Sequence, residues 1–234
     1  MNPFDTSIIS FVNSFARHSV FFDTLVTMIS GNDLLKGGVV VALIWGAWFR
    51  PGTQQRENRR FLVFGIAACL VAVVIARGLA HELPFRGRPF ANPALHFQTP
   101  YGHSQEDLIH WSSFPSDHAT VFFALAISIF FAWRAAGILA VVYVFALICL
   151  PRLYLGLHYP TDLLAGAAIG LGIGFLGRIS VLRKAIGGNA ERWLERSPVS
   201  FYACFFVLTF QIATIFDSAR DIAHFFLLLA KPHS

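Results

Sequence analysis

Residues 61–80 read FLVFGIAACLVAVVIARGLA, and the first charge in this stretch is Arg77. About 20 mostly apolar residues are what a helix needs to cross the roughly 30 Å hydrocarbon core of a bilayer. Working outward, comparable apolar runs occur at 34–49, 115–133, 137–155, 161–179 and 199–216. Several have uncharged cores shorter than 20 residues, with Arg, Asp or His at their ends, where such side chains can snorkel or line a wet pocket. The whole chain agrees with this pattern. Of its 234 residues 56% are hydrophobic and only 13% charged, against about 25% charge in soluble domains. That balance excludes a water-soluble globule, and disorder too, which needs low hydrophobicity and high charge. The predicted class is an all-α polytopic membrane protein, one domain over 1–234, with six transmembrane helices.

Residues 2–17 have no basic region followed by an apolar core and a cleavage site, so they read as an interfacial helix rather than a signal peptide. The apolar stretch 20–30, interrupted by Asp23 and closed by Gly31-Asn32-Asp33, reads as a further interfacial or re-entrant element. Gly166, Gly170, Gly172, Gly174 and Gly177 suit close helix packing in the fifth run. Cys69, Cys149 and Cys204 lie inside apolar runs and read as small hydrophobes without a disulfide framework.

The formal charge is +5. The cations fall mostly between apolar runs, so they point to topology and not to nucleic acid. Six spans put the 50–60 loop, the turn at Arg134 and a 178–198 linker on one side, with ten Lys and Arg. The other side holds eight, four of them in the polar motifs below. The positive-inside rule places the 50–60 loop in the cytoplasm and the 81–114 loop and 152–160 turn outside.

Three polar clusters sit at the outward ends of helices two to five. The first is His81 to Pro89, with Arg86 and Arg88, and Arg77 one helical turn before His81. The second is Ser113-Phe-Pro115-Ser116-Asp117-His118, opening helix three. The third runs from Pro151-Arg152 to His158 and Asp162. Arginine presents a planar fork that matches phosphate oxygens. Pro115 suits a helix start, where the amides of Ser116, Asp117 and His118 would face an anion at the positive end of the dipole. Asp162, four residues after His158, can accept from Nδ1–H and leave Nε2 as a nucleophile or base. Each of these residues alone is ordinary at a membrane boundary. Two histidines, two arginines, a helix N-terminus and a carboxylate on one face together indicate phosphoryl chemistry. His96, His103 and His110, with Glu106 and Asp107, match no common metal-ligand spacing and read as a wet loop.

These clusters resemble the signature of the type 2 phosphatidic acid phosphatase superfamily of membrane lipid phosphatases. That signature reads Lys-x6-Arg-Pro, Pro-Ser-Gly-His and Ser-Arg-x5-His-x3-Asp. Here it stands as His81-x6-Arg88-Pro89, Pro115-Ser116-Asp117-His118 and Pro151-Arg152-x5-His158-x3-Asp162, over about residues 77–175. His81 replaces the family's Lys, Asp117 its Gly and Pro151 its Ser. The resemblance implies a two-step, metal-independent phosphoryl transfer without a cofactor. His158 forms a phosphohistidine, Asp162 orients it, and His118 protonates the leaving oxygen and then activates water. Arg88, Arg152, His81, Ser116 and Asp117 hold the phosphate, with Arg77 or Arg86 compensating at the substituted Lys position. The implied partner is a lipid phosphate in the bilayer, and the Pro-Ser-Asp-His-Ala form resembles the bacterial undecaprenyl pyrophosphate phosphatase branch. Phosphatidate, phosphatidylglycerophosphate and lipid A phosphates stay open as substrates, as does transfer to an acceptor other than water. A transporter, the non-enzyme alternative, places such residues near the membrane midplane on broken helices. The implied location is a bacterial inner membrane with the site facing outward; oligomeric state stays open.

Overall fold

The computed structural model describes residues 2–103 and 108–215, and among them there are helices and no strand. The N-terminal part comprises α1 (Pro3–Asn13), α2 (Val20–Gly31) and α3 (Val39–Phe49), the last entered through a π-helical turn at Leu34–Gly38. Then come α4 (Gln55–Glu82), α5 (Asp117–Ala132) and α6 (Arg134–Tyr143), which passes through a π-helical stretch into α7 (Leu150–Tyr154). The chain closes with α8 (Pro160–Phe175), α9 (Ser180–Arg196) and α10 (Pro198–Ala213).

Three helical segments are long and apolar enough to cross a membrane: Gln55–Glu82, Arg134–Tyr154 and Pro160–Arg178. Val20–Gly31 and Leu34–Phe49 make a fourth only as a pair, bent by 66°. Among the described residues, three or four of the six expected spans are therefore helices of spanning length. Helices α5 and α10 are apolar but have 16 residues each, about 24 Å at 1.5 Å per residue. Helix α5 is short for a reason. Almost every residue from Ala119 to Ala126 is buried, so α4, α6 and α8 surround it and lipid does not set its length.

The α5–α8 contact is a backbone approach. A Cβ at Gly166 would run into the Ser116 carbonyl, one at Gly170 into the Thr120 carbonyl, and one at Gly174 into the Ile127 side chain. These glycines recur every four residues, so they form one flat stripe. Gly172 lies off the stripe, in open space.

One sequence expectation changes and another gains detail. The 178–198 linker is the helix α9. Its Gly187 lies against Arg60, and Glu191 accepts from Arg60 Nε at 3.1 Å and Nη2 at 2.8 Å. Helix α1, expected as an interfacial helix, also packs on the rest of the chain. It turns Asp5, Ile9 and Asn13 inward, while Phe4 and Phe11 are exposed. Asn13 brackets the backbone of Gln98, donating to its carbonyl and accepting from its amide, both at 2.8 Å. Helix α1 thus clamps the loop after α4.

Candidate active site

A cleft of about 250 Å³ opens where the C-terminal ends of α2, α4 and α7 meet the N-terminal end of α5. It is lined by Arg77, Arg88, Asp117, His118, Arg152 and His158, together with Ser30, Gly31 and Lys36. Most of the expected site residues, drawn from three distant stretches of chain, meet here.

His158 sits in the short segment between α7 and α8 and is 6% exposed. Its Nδ1 lies 2.8 Å from the Ser113 carbonyl. A carbonyl only accepts, so Nδ1 carries the proton and Nε2 keeps its lone pair. The orienting bond expected from Asp162 goes to Ser113 instead. Asp162 Oδ2 lies 3.8 Å from Nδ1, too long for a hydrogen bond, and acts as a nearby negative charge. Burial above all pushes the His158 pKa below its ordinary value; the Arg88 charge adds to this, while Asp162 and the Ser113 carbonyl oppose it. A neutral imidazole at neutral pH is the result.

Asp162 is fully buried and committed elsewhere. Its Oδ2 accepts from the Tyr159 amide at 2.8 Å, and its Oδ1 accepts from Arg86 Nη1 at 2.5 Å. Arg86 Nη2 in turn reaches Asp5 Oδ2 at 2.5 Å, and the guanidinium lies over the Tyr159 ring. Asp5 also accepts from the Thr161 amide and hydroxyl. Arg86 is therefore a clamp between α1 and α8, and it does not line the cleft. Asp5, 81 residues away in sequence, is the partner that spacing alone does not reveal.

Arg88 is buried, with Nε donating to the Leu108 carbonyl at 3.2 Å and Nη1 to the Leu157 carbonyl at 2.8 Å. Burial lowers its pKa to about 10, which leaves it charged at neutral pH. Arg152 is 2% exposed; it donates to the Ile148 carbonyl at 2.9 Å and the Ser30 carbonyl at 3.3 Å, and its buried Nε has no protein partner. Neither arginine spends its charge on a carboxylate in these contacts. Arg77 pairs with Asp117 and lies over the Trp111 ring.

His81 is placed outside the cleft. Its side chain is 87% exposed and its Nδ1 lies 3.4 Å from Glu82. It borders an adjoining depression with Phe85, His110 and Trp111, which shares Arg77, Ala80 and Ser112 with the cleft. The residue standing where the resemblance has Lys thus makes no part of the cleft wall. Ser116 is fully buried and serves the fold: its amide donates to the Asp162 carbonyl at 3.1 Å and its hydroxyl caps α5. It ties the second cluster to the third rather than lining the cleft. Lys36, which motif reading left among the topology charges, lines the cleft. Among the described residues no three His, Cys, Asp or Glu gather as a metal site; Glu106 and Asp107 lie outside the described residues.

A family model for the PAP2 superfamily matches residues 60–185. The chain belongs to the PAP2 superfamily. The matched region contains the whole His118–Arg152–His158–Asp162 set and both helices of the glycine stripe. Among curated proteins, the bacitracin transport permease protein BcrC of Bacillus licheniformis is 30% identical over 123 residues, 51% of this chain and 55% of that protein. The undecaprenyl-diphosphatase BcrC of Bacillus subtilis is 26% identical over 167 residues, 70% of this chain and 78% of that protein. The putative undecaprenyl-diphosphatase YbjG of Escherichia coli is 29% identical over 214 residues, 90% of this chain and 96% of that protein. No solved structure matches.

Proposed function

We propose that the chain hydrolyses a lipid diphosphate, undecaprenyl diphosphate or a close analogue, through a phosphohistidine on His158. The observation that carries this reading is a neutral, Ser113-anchored imidazole in a cleft with two buried arginines. In the first step His158 Nε2 attacks the terminal phosphorus. The bridging P–O bond breaks, and His118 gives a proton to the departing lipid monophosphate. In the second step His118 takes a proton from water, the oxygen attacks phosphorus, and the P–N bond breaks to release inorganic phosphate. Arg88 and Arg152 balance the charge on the equatorial oxygens, and the partnerless Arg152 Nε fits one of them. Asp162 positions the α8 end that follows His158 and supplies a nearby negative charge as the ring becomes positive.

An apolar groove supports a lipid substrate. It is lined by Val26, Ile29, Leu150 and Pro151, among others, and Ser30 and Arg152, the next residues along the chain, line the cleft. Phosphate chemistry and tail space therefore share a wall. The names of the two diphosphatases favour the diphosphate over phosphatidate and the other monoesters. The six-span arrangement, the bacterial inner membrane and an outward-facing site complete the proposal, in keeping with the cation count of the loops.

The reaction needs no metal on this reading, because cations of the chain already face the phosphate. Purified protein in detergent is expected to release phosphate from undecaprenyl diphosphate in EDTA. Complete loss in EDTA, with recovery in Mg²⁺, would sink the mechanism. His158→Ala is expected to abolish the acid-labile phosphoenzyme and lower turnover by roughly 10²–10⁴. Running the assay with and without an alcohol acceptor distinguishes hydrolysis from transfer to an acceptor.

A further inference from the structure

Helix α9 carries three faces. Gly187, Glu191 and Leu194 turn toward the bundle, where Gly187 lies against Arg60 and Glu191 accepts from its guanidinium. Arg183 ties down the first turn: its Nη1 donates to the Gly177 carbonyl at 2.6 Å and its Nε to Glu57 Oε2 at 3.2 Å. On a second face Leu182, Ile186 and Trp193, with Ile179 just before the helix, recur at steps of three, four and seven residues, and all four are exposed. On a third face Lys184, Arg192 and Arg196 are exposed, at steps of eight and four residues. Among the described residues the ion pairs of α9 use Arg183, Glu191 and Glu195, and none of these three outer cations pairs with a carboxylate. A helix with an apolar flank and a cationic face suits the plane of a membrane interface.

Two features around α9 mark that interface. Four arginines at this end of the bundle lie over aromatic rings: Arg50 over Trp133 at 5.1 Å, Arg59 over Trp48 at 5.0 Å, Arg178 over Phe131 at 5.6 Å and Arg183 over Phe61 at 4.3 Å. Such pairs suit headgroup level, where a ring can stay in hydrocarbon while the charge reaches water. The apolar flank of α9 also borders a groove of about 120 Å³, lined by Val63 and Ile66 of α4, by Trp193, and by Phe205 and Leu208 of α10. Trp193 is held there, with Nε1 donating to Ser200 Oγ at 2.9 Å and its ring edge-on to Phe201. Helix α4 is long enough to cross a bilayer, so an apolar chain in this groove runs along a spanning helix. Arg196 lies less than one turn from Trp193, where the apolar and cationic faces of α9 meet. An occupant that matches both faces is apolar beside Trp193 and anionic beside Lys184, Arg192 and Arg196.

We propose that α9 is an in-plane binding surface for anionic phospholipid of the surrounding leaflet. Lys184, Arg192 and Arg196 hold the headgroup phosphate, and an acyl chain lies along Trp193 in the groove between α4 and α10. The ion pairs between α4 and α9 fit this role, because they engage Glu57, Glu191 and Glu195 and leave the outer cations unneutralised. On the orientation proposed above, α9 meets the cytoplasmic leaflet, whose surface is negative. No residue of this surface lines the cleft, so the bound lipid is not the substrate.

The test places the full chain in phosphatidylcholine nanodiscs. Ile186→Cys, with Cys69, Cys149 and Cys204 replaced by alanine, carries a fluorescent label on α9. Doxyl-labelled phosphatidylglycerol or doxyl-labelled phosphatidylcholine is then added at equal mole fraction. Both are expected to quench, with phosphatidylglycerol reaching half-quenching at a roughly fivefold or more lower mole fraction. Combining Lys184→Gln, Arg192→Gln and Arg196→Gln should bring the two lipids to within about twofold of each other, and raising the salt to about 0.5 M should narrow the gap in the parent protein. Equal quenching by the two lipids in the parent protein would overturn the proposal, as would a preference that survives the triple substitution. Quenching by neither lipid means that water, a second copy or another protein covers the face, and it also removes the proposal. The unlabelled wild-type protein gives a check that needs no variant. Its unfolding temperature should be higher in nanodiscs that contain phosphatidylglycerol than in phosphatidylcholine alone, and equal temperatures count against the site as decisively.

Discussion

In the proposed mechanism His158 acts only while its ring is neutral, so the direction of its pKa shift sets an observable. An ordinary His titrates near 6.5; burial and Arg88 hold this one lower. The ring then stays neutral on descending below pH 6.5, and the acid limb of kcat/KM falls below that value. Arg88→Met removes one of the two lowering causes. Beyond its loss of activity, it is expected to move the acid limb upward, and an unmoved limb would show that Arg88 does not act on His158. The same depression costs stability in acid: the unfolded chain binds a proton near pH 6.5 before the folded one does, so stability falls as pH drops through that window. Arg86 makes a second case. Arg86→Met leaves Asp5 and Asp162, both fully buried, without their shared cation. Breaking such a pair costs about 3–5 kcal/mol, read as a lower unfolding temperature in detergent; Arg86→Lys should recover part of it. Arg88, His118, Arg152 and His158 were legible in the sequence because their spacing alone places them at helix ends on one face. Asp5 and Lys36 were not. Each is a single charge in an unremarkable stretch, and only the packing of α1 against α8, or of the α2–α3 turn against α10 and the π-helical stretch before α7, gives it a place beside the site. His81 misled for the converse reason: at the end of α4 its direction depends on where the chain leaves the helix.

The glycine stripe holds α5 and α8 together, and with them the helix starts that flank the cleft. Gly170→Ala places a methyl against the Thr120 carbonyl, so the helices must separate. Overpacking of this kind costs about 1–3 kcal/mol, and activity should fall with stability because α5 carries His118 and α8 begins two residues after His158. Gly172→Ala is the control. It meets nothing within 4 Å, and alanine favours the helix by roughly 0.5–1 kcal/mol over glycine. A thermal shift equal for the two variants would remove the stripe as the determinant. The glycines could be read from sequence because their four-residue spacing is itself the packing face. Helix α9 escaped because its signal is not apolar: it is held by Glu191 on Arg60 and by Arg183 donating to Glu57 at 3.2 Å, contacts that exist only once α4 stands beside it. Among the described residues helix length alone accounts for three or four of the six expected spans, for a related reason. Hydropathy records that α5 is apolar, but lipid and protein bury apolar residues alike.

On the scale of the whole molecule, function depends on which face of the membrane the cleft occupies. Helix α4 supplies a ruler. Arg60 lies near its start, among the ion pairs with α9, and Arg77 lies near its end, in the cleft wall. Seventeen residues of continuous helix separate them by about 26 Å, nearly the thickness of a hydrocarbon core. Cleft cations and loop cations are therefore at opposite ends, and the proposed orientation puts the loop cations inside. Replacing Cys69, Cys149 and Cys204 with alanine gives a silent background for labelling. Ala94→Cys, exposed in the loop that α1 clamps, is expected to react with an impermeant thiol reagent in intact cells. Gln54→Cys, exposed just before α4, should react only after permeabilisation. The opposite pattern would put the cleft at the cytoplasmic face, where His158 would meet only lipid phosphates of the inner leaflet. Retained activity in the cysteine-free background ties the result to the folded enzyme, since all three thiols lie outside the cleft.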